Sequence, residues 1–388
     1  MLDFILFENL YSVENHYKDL ENLALLLQGA GYKVAIADCF KEESLCKNRT
    51  IKHISIPAFV PKAFKESNKY DVERGRLLGA LLRMIQEVYL LYIMFYCRNK
   101  CKNIYAGSLT PATPMLFRFL TFHKHCYLWG LRSATVTYWK KQKIGYWWCI
   151  SKLGYFLLQN NKDIILIVSN PFIKKEFVDE VHIPESRIIL RPERTIESIT
   201  YPRSSESGKL RLLTIGTLRP DKHVEVCLRS LRKLNNSNIE FTIAGRSRNF
   251  KEYEELILKE SQGVPSIKRI DKYLDDEEYF QLIDHCDCLL LCDEKQPTCS
   301  SNGTMMEALL FGKPIIAPNY EPFKTEVTYY KIGELYEMFD ENSLSIVIES
   351  LLKSGTHYYS YGIIQYQQNF IFKKVAGSIR TQIDKISK

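Results

Sequence analysis

Short apolar segments alternate with helix-patterned segments along most of this 388-residue chain, and no other feature constrains the fold as strongly. Each apolar segment is as long as one buried strand, and repeated strand–helix units predict a parallel sheet with helices on both faces. The predicted strands of the first half are Leu2–Phe7, Tyr32–Ala37, Ile51–Ile56, Ile104–Ala106, Tyr127–Trp129 and Ile164–Val168. The predicted helices there are Tyr17–Ala30 and Arg76–Tyr96.

A polar stretch, 191–209, divides this pattern into two halves, and its two prolines and Ser-Ser-Glu-Ser-Gly run predict an interdomain linker. The predicted strands of the second half are Leu210–Ile215, Phe241–Ala244, Cys288–Leu291 and Ile315–Ala317. Its predicted helices are Val224–Leu234, Asp276–Cys286, 303–311 and Phe370–Ile386. The chain is long enough for two hydrophobic cores, so we expect two doubly wound α/β domains.

The net charge of +8 is concentrated in the first half, where no acidic residue lies between Glu87 and Asp163 but eleven lysines and arginines do. Residues 138–152 combine three tryptophans with four lysines. This combination suits an anionic membrane surface. One alternative is a basic surface over core tryptophans. The other is nucleic acid, which we do not expect because no binding motif accompanies the charge.

The sequence gives no sign of secretion or of a membrane span. The longest uncharged apolar run, Val88–Cys97, is too short to cross a bilayer. The N-terminus has no basic region typical of a signal peptide. The eleven cysteines are scattered and lack metal-ligand spacing. We therefore expect a cytoplasmic protein with reduced thiols, docked peripherally on the inner face of the membrane where the basic segment binds it.

Residues 299–318 predict an anion site at the start of a short helix. A polar turn precedes the helix, Gly312 ends it, and a buried strand follows. Four or five backbone N–H groups at such a start can bind an anion. Glu307, in the first helical turn, faces the same site, and its carboxylate can accept two hydroxyls. A phosphate next to a diol is an arrangement found in a nucleotide sugar. The alternative interpretation is a strand–helix–strand unit in which Glu307 only favours the helix N-terminus. The residues assigned to this turn are Ser301, Asn302, Gly303 and Thr304.

A second turn suited to phosphate lies at 215–223. Gly216 follows a predicted strand and lets the backbone approach a ligand. Arg219 and Lys222, beside the next helix, can hold a diphosphate and stabilise it as it leaves. The alternative is a surface turn with solvated cations. No Asp-x-Asp pair is present to hold a diphosphate-bound Mg²⁺, so we expect no metal requirement.

Together the two motifs resemble the donor site of family 4 glycosyltransferases, over about residues 205–365. The resemblance implies the GT-B architecture, with two Rossmann-like domains facing across a cleft and a last helix crossing back to the first domain. The domains are then 1–198 on the acceptor side, 199–365 for the nucleotide sugar, and 366–388 as the returning helix. In that family the glutamate opening the helix binds the donor ribose, which assigns Glu307, and transfer retains the anomeric configuration.

Some donor-side positions depart from the family pattern. Thr217 stands where an arginine is usual, with Arg219 as its substitute two residues later, and His223 replaces a glycine. Tyr273, at the strand end that borders the base in the family, is expected to pack on the base; the alternative is a ring on the core.

The family's first glutamate would fall at Cys299, so the donor sugar stays unassigned. Asp293 and Glu294 come too early for that spacing, although the loop between them and the helix can bring one in.

The acceptor side has diverged further. A polar loop containing Glu14 and His16 replaces the usual Gly-Gly loop, and Ser108 lies near a point where the family often has a histidine. These three residues are the acceptor-side candidates. A solvated loop is the alternative for Glu14 and His16.

The sequence thus predicts a glycosyltransferase of the hexosyltransferase type. It would move a sugar from a nucleotide-diphosphate sugar to a lipid-linked or glycan acceptor in surface polysaccharide synthesis, with retention and without a cofactor. Arg219 and Lys222 would stabilise the departing diphosphate. The alternatives are a nucleotide-sugar epimerase or phosphorylase of the same fold, and a non-catalytic nucleotide-sugar-binding protein. A dehydrogenase is disfavoured because no Gly-x-Gly-x-x-Gly follows a strand.

Overall fold

The computed structural model describes residues 1–7, 14–38, 48, 50–56, 88, 91–107, 126–131, 153–154, 156–202, 208–247, 250–264, 266–295 and 302–386. The chain divides into two compact units. The first comprises Met1–Thr195 with Phe372–Lys388, and the second comprises Ile196–Gln296 with Asn302–Ile371. The boundaries predicted at 198/199 and 365/366 differ from these by a few residues.

The elements named here follow chain order. The strands are β1 (Leu2–Phe7), β2 (Val34–Asp38), β3 (Lys52–Ser55), β4 (Cys101–Gly107), β5 (Cys126–Leu131), β6 (Ile164–Val168), β7 (Ile188–Leu190), β8 (Leu210–Ile215), β9 (Ile239–Ala244), β10 (Ile267–Ile270), β11 (Cys288–Leu290), β12 (Ile315–Pro318) and β13 (Gly333–Tyr336). The helices are α1 (Glu14–Gly29), α2 (Pro171–Val181), α3 (Val224–Leu234), α4 (Lys251–Ser261), α5 (Asp276–His285), α6 (Gly303–Leu310), α7 (Phe323–Tyr330), α8 (Glu341–Ser354), α9 (Ser360–Gln367) and α10 (Phe372–Ile386).

The first unit is built on a parallel sheet in the order β3-β2-β1-β4-β5-β6-β7. Successive residues of β1 point to opposite faces, as in any strand. Phe4 and Leu6 enter one core with α1 and α10, whereas Ile5 and Phe7 enter another with Phe177 of α2. Because both faces are buried, the strand reads as a continuous apolar run.

The second unit has a parallel sheet in the order β10-β9-β8-β11-β12-β13. Its core includes Leu213 of β8, Leu228 of α3 and Ile316 of β12. The strand order reverses between β8 and β11, and ligands of open α/β sheets bind at the carboxyl ends of strands where the order reverses. The prediction of two Rossmann-like α/β domains is confirmed.

Two sequence-based interpretations need correction. Helix α1 begins at Glu14 and not at Tyr17, so Glu14 and His16 lie in its first turn and not in a loop. Arg191, assigned to a polar linker, is buried and forms two hydrogen bonds with Asp19 of α1, at 2.6 and 2.7 Å. The buried carboxylate offsets the charge of Arg191, so this part of the predicted linker is fixed in the first unit.

Most of the predicted helix 76–96 lies outside the described residues, as does the basic segment 138–152. In the described part of the chain, no helix combines the length and hydropathy that crossing a bilayer demands.

Candidate functional site

The site lies at the strand-order reversal of the second sheet, and two glycines shape its floor. Gly216 ends β8 with φ of +117°, and Gly245 ends the neighbouring β9 with φ of +133°. A Cβ on Gly245 would lie 1.9 Å from the carbonyl oxygen of Gly216. Both strand ends therefore require glycine, which leaves the backbone open at the place where the sequence predicted a ligand.

The loop after β8 carries three of the predicted residues. Thr217 is exposed. Arg219 forms a bidentate pair with Asp221, with distances of 3.0 Å from Nε and 2.9 Å from Nη2. Since Arg219 is 48 % exposed, this pair contributes about 0–1 kcal/mol, and Arg219 can be released to a ligand at little cost.

Lys222 is held more firmly than Arg219. Its ammonium pairs with the carboxylate of Asp293, which follows β11, and both side chains are largely buried, at 18 % and 14 % exposure. The other carboxylate oxygen of Asp293 accepts a 3.4 Å hydrogen bond from Nδ2 of Asn302. The hydroxyl of Tyr320 donates to the backbone carbonyl of Asp293 at 2.7 Å. Lys222, Asp293 and Asn302 thus form one contiguous cluster across the strand-order reversal.

Helix α6 begins at Gly303, the residue predicted from the sequence. Asn302 is its N-cap and accepts a hydrogen bond from the Met305 N–H at 3.0 Å, and the Met306 N–H is bonded to the Asn302 carbonyl. Of the four or five anion-binding N–H groups predicted, those of Gly303 and Thr304 remain without an acceptor among the described residues. Asn302 therefore uses two of the N–H groups at this helix start, those of Met305 and Met306.

Glu307 is the fifth residue of α6 and opens its second turn, so its assignment to the first turn is wrong. Its Oε2 accepts a 2.8 Å hydrogen bond from the hydroxyl of Tyr279 in α5. The same hydroxyl lies 3.5 Å from Oγ1 of Thr304. Tyr279 thus orients the Glu307 carboxylate next to the first turn of the helix.

His223 links the loop after β8 to the loop after β11. It adopts a left-handed conformation with φ of 43°. Its Nδ1 lies 3.0 Å from Glu225, and its Nε2 lies 3.4 Å from Glu294. Glu225 also accepts from the hydroxyl of Tyr253, and burial, with the Glu225 charge adding to it, raises the pKa of Tyr253. The Glu294 N–H donates to the Asp221 carbonyl at 2.7 Å.

The remaining predicted residues are Tyr273, Ser301, Ser108, Glu14 and His16. Tyr273, on the loop after β10, is 66 % exposed and does not belong to the hydrophobic core described for the second unit. Ser301, Ser108 and Cys299 lie outside the described residues, and so do the side chains of Glu14 and His16. Their roles stay predictions.

Sequence reasoning missed Tyr279 and misjudged Asp293. Asp293 had a readable signal, since an acidic residue that follows a buried strand in a parallel sheet lies at the ligand edge. Tyr279 had none, because its contact with Glu307 joins two helices that share no sequence pattern.

Among the described residues, no cluster of histidine, cysteine, aspartate and glutamate has the arrangement of a metal site.

Comparisons with known proteins agree with this geometry. Residues 198–368 match the family of glycosyl transferases group 1. A glycosyltransferase from Rickettsia africae is 13 % identical, with a TM-score of 0.66, over 100 % of this chain and 99 % of that one. Anabaena HepE in complex with UDP is 11 % identical, with a TM-score of 0.68, over 99 % and 100 %. WaaG, a glycosyltransferase involved in lipopolysaccharide biosynthesis, is 12 % identical, with a TM-score of 0.63, over 98 % and 100 %. The search of curated proteins gave no match.

The fold is therefore GT-B, and the class is that of the glycosyltransferases. The match covers most of the second domain, where the resemblance of the two motifs predicted it.

Proposed function

We propose that this protein transfers a sugar from a nucleotide-diphosphate sugar to a lipid-linked or glycan acceptor in surface polysaccharide synthesis, with retention of configuration. The observation that carries the proposal is the cluster of Lys222, Asp293 and Asn302 at the strand-order reversal. It combines a largely buried cation with the start of a helix, and Glu307 lies one turn further along that helix. A cation and a helix N-terminus together suit a diphosphate.

Each part of the donor has a proposed partner. The N–H groups of Gly303 and Thr304 and the ammonium of Lys222 bind the diphosphate, and Arg219 joins them after leaving Asp221. Charge gathers on the diphosphate as the glycosidic bond breaks, and fixed cations stabilise it there. A front-face displacement in which the leaving phosphate accepts the acceptor's proton needs no further base.

The nucleoside is proposed to bind next to Glu307. Glu307, oriented by Tyr279, accepts two hydroxyls of the ribose, and exposed Tyr273 packs on the base. Support for a nucleotide ligand comes from Anabaena HepE, solved in complex with UDP and with UDP-glucose. Support for a surface glycan comes from WaaG, which is involved in lipopolysaccharide biosynthesis.

The acceptor side of the proposal rests on the sequence. Glu14, His16 and Ser108 are the candidate acceptor residues, and the basic segment 138–152 is the candidate contact with an anionic membrane. We propose that the reaction proceeds in the cytoplasm, at the membrane surface, without a metal ion.

Calorimetric titration with UDP, GDP and ADP tests the donor site. Glu307→Ala should weaken the tightest of them by roughly 1.5–3 kcal/mol, the scale of a hydrogen bond to a charged group, or roughly 10- to 150-fold in Kd. Glu349→Ala, which removes an exposed glutamate from α8, is the matched control and should bind normally. Equal affinities of the two folded variants would remove Glu307 from the site.

Turnover of the corresponding nucleotide sugar separates the proposal from its alternatives. Without its acceptor, a transferase lets water take the acceptor's place and hydrolyses the donor to the nucleoside diphosphate and free sugar. An epimerase alters the configuration of the sugar, and a binding protein does neither. Binding without any turnover of UDP-, GDP- or ADP-sugars would favour the non-catalytic alternative.

A further inference from the structure

Asp293 belongs to the site but has no role in the chemistry described so far. It lies just beyond the carboxyl end of β11, after buried Leu291 and Cys292. Its two carboxylate oxygens face different loops, one toward Lys222 after β8 and the other toward Asn302 before α6. One acidic side chain therefore connects the cation and the helix N-terminus to which the diphosphate is assigned.

The orientation of Asn302 is fixed independently of Asp293. Its Oδ1 accepts from the Met305 N–H as the N-cap of α6, so its Nδ2 is the donor that faces Asp293. The Asp293 carbonyl in turn accepts from Tyr320, the second residue after β12. Asp293 is thus held by Asn302 through its side chain and by Tyr320 through its backbone, which gives the Lys222 ammonium a fixed partner.

Lys222 and Arg219 differ in what a ligand must displace. An ammonium has three donors, so Lys222 can keep its bond to Asp293 and still offer two to phosphate oxygens. Arg219 uses two of its donors on Asp221 in an exposed loop and must rearrange before it meets a ligand. Lys222 is therefore the cation already in place, and its side chain loses little further freedom when the ligand binds.

We infer that Asp293 is a positioning residue, which fixes the Lys222 ammonium next to the start of α6 at some cost in ground-state affinity. The inference rests on the proposed function. A carboxylate next to a diphosphate repels it, so Asp293 weakens the binding of a free nucleotide while placing the cation where the leaving group gathers charge. Removing its charge should then change affinity and turnover in different directions, which a purely structural residue would not do.

Two readouts test the inference, and the first needs no nucleotide. Reductive methylation with ¹³C gives each lysine an NMR signal, and loss of a signal in Lys222→Arg identifies that of Lys222. In the wild type the chemical shift of this signal should differ from those of exposed lysines. In Asp293→Asn it should move into their range. In Asp293→Glu, which keeps the charge, the chemical shift of Lys222 should still differ from those of exposed lysines.

The second readout is kinetic. In Asp293→Asn, kcat for turnover of the nucleotide sugar should fall about 10- to 100-fold, the scale of a misplaced catalytic group, while Kd for the nucleoside diphosphate stays equal or decreases. The matched control is Asp287→Asn. Asp287 lies before the amino end of β11 and pairs with Arg211, so its loss should lower Tm but preserve both the Lys222 signal and kcat.

An unmoved Lys222 signal in Asp293→Asn, or affinity that falls in parallel with kcat, would overturn the inference. If Asp293→Asn does not fold, Asp293→Glu decides, because shifting the ammonium by one methylene should lower kcat and preserve affinity. If the wild type neither binds nor turns over any of the nucleotides, the proposed function fails. The NMR signals still decide then whether Asp293 fixes Lys222.

Discussion

The buried pair between Asp19 and Arg191 allows a quantitative prediction for the first domain. The two side chains are 7 % and 4 % exposed and are joined by two short hydrogen bonds. Burial lowers the pKa of Arg191, but the Asp19 charge and hydrogen bonds outweigh it and raise the pKa overall, so the arginine stays charged. Asp19→Ala therefore leaves a buried cation without its counterion.

Breaking such a pair on one side costs about 3–5 kcal/mol. For a domain of this size each kcal/mol lowers Tm by about 2–4 °C. The Tm of the first domain should therefore fall by roughly 6–20 °C. The control is the pair of Lys209 and Glu240, which are 41 % and 44 % exposed; Glu240→Ala should cost at most about 1 kcal/mol.

Differential scanning calorimetry and urea unfolding measure both variants. The double variant Asp19→Leu/Arg191→Met should recover most of the lost stability, because replacing a buried pair with apolar residues of similar volume is often neutral. If Asp19→Ala costs no more than Glu240→Ala, the pair is not a buried anchor. If the double variant is as unstable as the single one, packing and not charge explains the loss.

Three further predictions concern the glycine floor, a buried glutamate and the basic segment. Gly245→Ala should abolish nucleotide binding or folding, as seen by calorimetry and circular dichroism, because its Cβ meets the neighbouring backbone; normal binding would refute the close approach. Burial raises the pKa of Glu326 to about 7, so its contribution to stability is present below pH 4.5 and lost as the pH rises through 7. Glu326→Gln should therefore gain stability over the wild type between pH 5 and 8, by at most about 3 kcal/mol in unfolding experiments, and a pH-independent difference would refute the burial. Anionic vesicles, unlike neutral ones, should retain the protein at low salt and release it at high salt in flotation, and equal behaviour on both would refute membrane docking. Retention should be lost on charge reversal at Lys140, Lys141 and Lys143.

The strand bounds predicted most accurately from the sequence are those of strands that are buried along most of their length. Leu2–Phe7, Ile164–Val168 and Leu210–Ile215 have the predicted bounds, because apolar runs between polar turns determine strands buried on both faces. The edge strands Ile188–Leu190 and Gly333–Tyr336 were missed. They are short, and the second is mostly half-exposed, so neither has a distinctive pattern.

For the site, residue types were predicted more reliably than the contacts between them. Gly216 and Lys222 were predicted from the turn that follows a strand, and the structure places them at the strand-order reversal. Glu307 was assigned to the first turn of α6 but opens the second, and only the folded chain shows that Asn302 is the N-cap. The link from Lys222 through Asp293 depends on two distant loops meeting, which no local pattern encodes.

The location of α10 in the first unit has a consequence for the order in which the chain acquires its structure. The residues of the second unit, from Ile196 to Ile371, are complete before α10 leaves the ribosome, so that domain can fold during synthesis. One face of the first sheet must wait, because its core includes Val375, Ile379 and Ile383 from the last helix. A chain truncated before α10 would therefore expose that apolar face and be prone to aggregation, even though every strand of both sheets had been made.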